Sequence, residues 1–438
     1  MPGFQGWGFS QNQGGVTLKK RLIIMLSLIL VLSALSAAAF ADNGKHKGKD
    51  KKAKKFELGI EVLLDDQKEL IEGKRVGLIT NPTGVDQELN SIVDLLHNDP
   101  EVELTALYGP EHGVRGSAQA GEYVEFYTDE KTGLPVYSLY GATKKPTPEM
   151  LENVDVLLFD IQDVGTRFYT YIYTMAYAME AAKENDIPFI VLDRPNPLGG
   201  TEVEGPVLET PYKSFVGNYE IPLRHGMTVG ELAKLFNEEF KIGADLTVVK
   251  MKGWKRDMLY DETGLQFVMP SPNMPTLDTA LVYPGAALIE GTNVSEGRGT
   301  TKPFELIGAP FINADNLAQQ LNSLNLKGVS FRAASFTPSI SKHAGKLSHG
   351  IQIHITDPDE FEPVKTGLHI VKSIHDLYPE DFAFRAEDSR GISFFDQLIG
   401  NGWVRDAIEE GKSVEWIESQ WKDELKDFTK VRKDYLMY

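Results

Sequence analysis

The chain has 438 residues, a formal charge of −18 and no cysteine. That length suits about two domains. The missing cysteine excludes disulfides, thiolate metal sites, iron–sulfur clusters and cysteine nucleophiles, and the acidic balance argues against nucleic acid, whose phosphates call for a basic face.

The charge is unevenly spread. Lys19-Lys20-Arg21 precede an apolar run from Leu22 to Phe40, and Ala39-Phe40-Ala41 has the small-residue pattern of a cleavage site. Residues 1–41 therefore read as a secretory signal peptide with an N-terminal extension. The competing reading is an uncleaved anchor, because the apolar run is just long enough to span a bilayer. No cysteine follows it to take a lipid. Residues 42–55 (DNGKHKGKDKKAKK) carry seven lysines against two aspartates. With no apolar periodicity they are expected to form a disordered tether, a plain spacer or a weak contact to an anionic wall through Lys45–Lys55. A secreted, wall-associated protein is expected, in a Gram-positive setting. From Phe56 onward 35 basic residues face 61 acidic ones, so the body is strongly acidic.

The body alternates short apolar runs with helical patterns. Strands are predicted at Arg75–Thr80, Glu103–Tyr108, Pro135–Leu139, Val156–Asp160, Pro188–Asp193 and Asp245–Met251. Their near-continuous apolar character suits parallel strands covered on both faces. Helices are predicted at Ser91–Asn98, Pro148–Asn153, Tyr169–Asn185 and Val229–Phe240, the last capped by Thr228. These units imply a Rossmann-like, doubly wound parallel sheet over residues 56–285. The pattern changes after Tyr283-Pro284-Gly285. Helix Ala314–Leu324, strands Val329–Phe336 and Gly350–Thr356, helix Val364–Leu377 and a final helix from Val414 to about Thr429 then imply a smaller α+β domain over residues 286–438.

In open parallel sheets ligands bind beyond the carboxyl ends of the strands, and the unusual polar clusters of this chain fall there. The first strand runs into Asn81-Pro82-Thr83-Gly84 and the second into Gly109-Pro110-Glu111-His112-Gly113-Val114-Arg115-Gly116. Later strands deliver Asp160-Ile161-Gln162-Asp163-Val164-Gly165-Thr166-Arg167 and Asp193-Arg194-Pro195-Asn196. Glu111-His112, held between glycines and a proline, is the sharpest element: a glutamate there suits a general acid if its pocket raises its pKa. The plainer alternative makes Glu111 a helix cap and His112 a buried hydrogen-bonding residue. Arg167 and Arg194 suit a clamp for a carboxylate or phosphate, or an internal ion pair with Asp160, Asp163 or Asp193. Tyr169, Tyr171 and Tyr173, two residues apart, cannot share one helix face, so some are core and one reaches the cleft. The loop Glu290–Lys302 is dense in polar groups, including Asn293, Glu296 and Arg298. It suits closure over the sheet edge or a solvated linker, and it has neither the P-loop nor the dinucleotide spacing. No nucleophile elbow, zinc motif or dinucleotide fingerprint is present, so no cofactor, metal or nucleotide is expected.

The segments GLITNPTGVD, LYGPEHGVRG, LFDIQDVGTRFYTYIYTM, VLDRPNPLGG, MPSPNMPT and YPGAALIEGTNVSEGRGTTKPFE resemble the NamZ-type exo-β-N-acetylmuramidases, from about Phe56 to the C-terminus. The resemblance implies a Rossmann-like domain without a nucleotide, a smaller C-terminal domain and an active site in the cleft between them. It also implies release of N-acetylmuramic acid from the non-reducing ends of peptidoglycan fragments, with Glu111 of the GPEHG motif as leading catalytic candidate. Glycoside hydrolysis usually needs a second carboxylate, for which Asp160, Glu290 and Glu296 compete; the 2-acetamido group of the sugar is a further candidate. The lactyl carboxylate of the sugar asks for a cation, Arg167, Arg194 or Arg298. Asn81, Arg115, Gln162, Tyr169, Asn196 and Asn293 complete the expected binding residues, with His112 beside Glu111. An exported, non-catalytic binding protein for wall saccharides is the alternative; an esterase or deacetylase has no supporting motif.

Overall fold

A seven-stranded sheet organises the first part of the chain, built from Arg75–Thr80 (β1), Glu103–Gly109 (β2), Tyr127–Thr128 (β3), Pro135–Ser138 (β4), Val156–Asp160 (β5), Phe189–Leu192 (β6) and Leu246–Val249 (β9). The computed structural model describes residues 56–116 and 126–438, all within one compact unit, Lys54–Tyr438. The expected signal peptide and lysine tether lie outside the described residues. The strand order is β3-β4-β2-β1-β5-β6-β9, parallel throughout except for the edge pair β3–β4. Successive strands lead outward from β1 through β2 to β4, then resume on its other side at β5, so the order reverses between β1 and β5. That is the switch point at which such sheets bind ligands.

Both faces of the sheet are covered, which is why its strands read as unbroken apolar runs. Side chains alternate across β5: Leu157 and Phe159 join one core cluster with Ile172, Met175 and Leu232, whereas Val156 and Leu158 join the other with Leu63, Ile92 and Leu96. Each such fully buried aliphatic or aromatic side chain contributes about 1.5–3 kcal/mol. The first cluster continues without a break into Ile307, Ile351 and Leu368 of the later chain.

After β9 the chain forms a three-stranded antiparallel sheet of Leu306–Ala309 (β10), Val329–Phe336 (β11) and Ser348–Ile355 (β12), in the order β10-β12-β11. Helices Ala314–Ser323 and Pro363–Leu377 accompany it, and four further helices follow from Phe394 to Arg432. The architecture is thus the expected mixed α/β one. A separate hairpin, Glu204–Val207 (β7) with Pro222–Arg224 (β8), was not expected. One helix was not expected and one expectation needs correction. Tyr283-Pro284-Gly285, after which the pattern was read to change, closes a buried helix, Leu277–Ala286. The predicted final helix is two, Val414–Gln420 and Lys422–Arg432, divided at Trp421. Pro284 survives inside its helix because tertiary packing outweighs propensity: a Cβ on Gly285 would stand 1.9 Å from the Pro363 carbonyl oxygen, so the two helices meet backbone to backbone.

Candidate active site

The chain leaves β2 at Gly109 and turns at once. Gly113 N–H donates to the Pro110 carbonyl at 2.9 Å, which makes Glu111 and His112 the central residues of a tight turn. His112 takes φ +75°, a left-handed conformation that glycine adopts far more easily. Such strain costs on the order of 1–3 kcal/mol and gathers at functional sites. Gly109 permits the turn, because a Cβ there would stand 2.8 Å from the Val114 nitrogen. His112 is buried and Glu111 half-buried. Tyr140, just beyond β4, hydrogen-bonds the Glu111 carboxylate; burial first and that carboxylate second push its phenol up to about 12.

Glu111 and His112 open onto a cavity of about 640 Å³, mouth included. Tyr169 and Tyr171 form one wall where the β5 loop enters helix Tyr171–Glu184, their rings edge to face at 4.9 Å. Tyr283 stands edge-on to Tyr169 and to Phe304, at 5.7 and 4.7 Å. Burial raises the Tyr169, Tyr171 and Tyr283 phenols, so all three remain hydroxyl donors. Tyr171 already spends its proton on the Pro270 carbonyl. The Tyr169 hydroxyl is buried with no well-formed hydrogen bond of its own.

Glu290 and Arg298 also line the cavity. Arg298 Nη2 is 3.3 Å from both Glu290 oxygens, its Nε is 3.4 Å from Glu296, and its guanidinium lies 5.0 Å from the Phe304 ring centre. Lys342 closes the row, 2.9 Å from the other Glu296 oxygen and from the Ile289 and Thr292 carbonyls. Burial raises the Glu290 carboxyl and the charge of Glu296 adds to it, while Arg298 and Lys342 oppose. Burial lowers Lys342, with Glu296 opposing.

A family model described as the N-terminal part of the exo-β-N-acetylmuramidase NamZ matches residues 76–278, and one for its C-terminal part matches 281–438. The chain belongs to the NamZ family. It is 62% identical over 421 residues to the peptidoglycan β-N-acetylmuramidase NamZ of Bacillus subtilis (strain 168), covering 96% of this chain and 100% of that protein. Two solved structures of DUF1343 family proteins from Bacteroides fragilis NCTC 9343 are similar. One is 44% identical with a TM-score of 0.80, covering 88% of this chain and 99% of its own; the other is 34% identical at 0.70, covering 87% and 99%.

Within this NamZ-family chain the expected site residues divide. Glu111, His112, Tyr169, Glu290 and Arg298 line the cavity together. Glu296 stands behind Arg298, only 2% exposed. Asp160 and Arg194 do not line it: they form a buried bidentate pair, and Arg194 also reaches the Val85 carbonyl. Arg167 is wholly buried and donates to the carbonyls of Pro206, Ile221 and Leu398. Asn81 binds Thr83, Gln162 binds the Asp163 and Pro195 carbonyls, and Asn196 binds Met227, so these amides tie neighbouring strand-end loops together. Arg115 forms a bidentate pair with Asp129, which holds that carboxyl down at about 2. Asn293 pairs its amide with the Asp381 carbonyl and the Ala383 N–H. Ser271, Asn273 and Tyr283 line the cavity without having been singled out. The first two sit in the quoted MPSPNMPT segment, which was the only signal for them.

Proposed function

We propose that the chain is an exo-acting glycoside hydrolase that releases N-acetylmuramic acid from the non-reducing ends of peptidoglycan fragments, with Glu111 as general acid and Glu290 as the second carboxylate. Membership of the NamZ family and the high identity to a peptidoglycan β-N-acetylmuramidase support the hydrolase assignment. One observation carries the residue assignment: of the expected catalytic carboxylates, only Glu111 and Glu290 line the cavity. In this reading Glu111 protonates the departing glycosidic oxygen. Glu290, made more basic by burial with Arg298 opposing, assists attack at the anomeric carbon directly or through water. Tyr169, whose hydroxyl has no well-formed partner, offers it to the sugar. The cavity lies between the early sheet and the later chain, and residues 56–285 and 286–438 serve as its two flanking domains. The segment Lys19–Ala41 supports action outside the cytoplasmic membrane, which fractionation of expressing cells checks.

The deciding experiment compares Glu111→Gln with the unaltered enzyme on two substrates. On a muramic acid–glucosamine disaccharide the variant should lose about 10²–10⁴-fold in rate. A nitrophenyl muramide, whose leaving group needs no protonation, should be cleaved far better than that. Undiminished disaccharide cleavage removes Glu111 from the mechanism. Saturable binding without turnover by the unaltered protein makes it a binding protein instead.

A further inference from the structure

The Glu290–Arg298 pair has a second cavity behind it. This space of about 930 Å³, mouth included, shares Glu290 and Arg298 with the first and is lined on its other sides by Asn293, Glu296, Lys342, His343 and Arg385, with Thr292 and Ser341 between them. The loop supplying Ser341 and His343 holds both in left-handed conformations, at φ +66° and +59°. It is strapped down by Ser339, whose N–H and hydroxyl both donate to the Gly299 carbonyl.

Charge accounting separates the cations. Arg298 is shared between Glu290 and Glu296, and Lys342 is held by Glu296, so an incoming carboxylate would meet two like charges there. Arg385 differs. Among the described residues no carboxylate lies within ion-pair distance of it, and the acids that follow in the chain are committed elsewhere, Glu387 to Arg405 and Asp388 to Arg390. Its backbone N–H donates to the Gly291 carbonyl, and its guanidinium lies 4.9 Å from the ring centre of Phe394. Phe394 in turn lines the first cavity. The guanidinium of this exposed arginine therefore stands over an aromatic ring at the seam of the two spaces, with no side-chain hydrogen bond among the described residues.

We propose that Arg385 reads the lactyl carboxylate that distinguishes a muramic sugar from N-acetylglucosamine. The inference rests on the muramidase reading above and adds a specificity-determining residue to it. The Phe394 ring supports the guanidinium and leaves a fork that can donate two parallel hydrogen bonds to a carboxylate. The second cavity gives the lactyl arm room beyond the sugar ring.

The experiment measures equilibrium binding of N-acetylmuramic acid and of its neutral lactamide by calorimetry, for the unaltered protein, Arg385→Gln and Arg385→Lys, with folding checked by circular dichroism. The unaltered protein should prefer the acid. Arg385→Gln should cut that preference about tenfold or more, the size expected for a charge-assisted hydrogen bond, and Arg385→Lys should restore part of it. A preference unchanged by Arg385→Gln overturns the proposal, as does equal weakening for both ligands. So does a preference lost instead in Lys144→Gln, whose ammonium sits over the ring of Phe215, next in the chain to the cavity-lining Val216. Because binding is read without turnover, failure here is distinct from failure of the hydrolase reading, which the two-substrate rate assay tests separately.

Discussion

Lys342 Nζ lies 2.9 Å from Glu296 Oε2, and the other oxygen of that carboxylate faces Arg298 Nε at 3.4 Å. The row Lys342–Glu296–Arg298–Glu290 thus alternates in charge from the rear cavity to the front one. Each member holds the next in place, so a cation outside the front cavity biases a carboxylate within it.

Lys342→Met is the first prediction. Lys342 helps to hold the Glu290 carboxyl down against burial and the charge of Glu296. Its removal lets the Glu290 pKa rise further, so the acid limb of kcat/KM against pH should move to higher pH. Glu296 also loses one of its two cationic partners, at a stability cost of roughly 1–3 kcal/mol, visible in a urea midpoint. A lower midpoint with an unmoved acid limb would show that Glu290 is not the titrating group.

Tyr169→Phe should separate stability from catalysis. The hydroxyl is buried without a well-formed partner, so its removal should leave the urea midpoint within about 1 kcal/mol of the original. The rate on the disaccharide should fall about tenfold if that hydroxyl donates to the sugar. An unchanged rate would remove Tyr169 from substrate binding.

Gly285→Ala tests the backbone contact that joins the early and later parts of the chain. Its Cβ would meet the Pro363 carbonyl oxygen at 1.9 Å and the Gly367 nitrogen at 2.9 Å, both backbone atoms with little freedom to yield. Overpacking of this kind costs about 1–3 kcal/mol or more. Gly367→Ala, with its Cβ 2.4 Å from the Gly285 Cα, should behave alike. Retained thermal midpoints in both variants would mean that the helices part easily.

Asp193 gives a pH dependence of stability. Its carboxylate accepts from Thr228 Oγ1 at 2.8 Å, Gly230 N–H at 2.8 Å and the Tyr438 hydroxyl at 2.7 Å, yet burial pushes its pKa up to about 7. The unfolded value is near 3.9. The folded form therefore holds a proton that the unfolded chain has released. The resulting stabilisation is complete below pH ~4 and lost as pH rises through about 7, at most roughly 4 kcal/mol. In Asp193→Asn this slope should vanish. Urea midpoints for both proteins at pH 5 and pH 8 check it, and equal slopes would overturn it.

Strand positions were legible to within a residue or two where both faces are buried. Val156–Asp160 reads as four apolar positions in a row ending in aspartate, and that is the observed strand. The β7–β8 hairpin was not legible, because Pro206 and Pro222 break its pattern. Helix Leu277–Ala286 was hidden by Pro284 and Gly285, whose reason for being there is a partner helix some eighty residues later. In the site, Glu111 stood out because turn chemistry is local. Arg194 and Arg167 stood out equally, and pattern alone cannot tell a guanidinium bound to Asp160 or to backbone carbonyls from one awaiting a ligand. Arg385 gave no signal at all: its significance lies in which carboxylates are not beside it, a property of the folded chain.

Arg167 has one more consequence. Its guanidinium, pushed down to about 10 by burial yet still protonated at neutral pH, grips the Leu398 carbonyl, and the next two residues, Phe168 and Tyr169, line the cavity. The walls of that cavity thus come from positions as far apart as Glu111 and Leu398. An intermediate folded only through the parallel sheet would hold Glu111 without Glu290 in the cavity. Regain of turnover during refolding should therefore lag behind the return of secondary structure, marking the last long-range docking step.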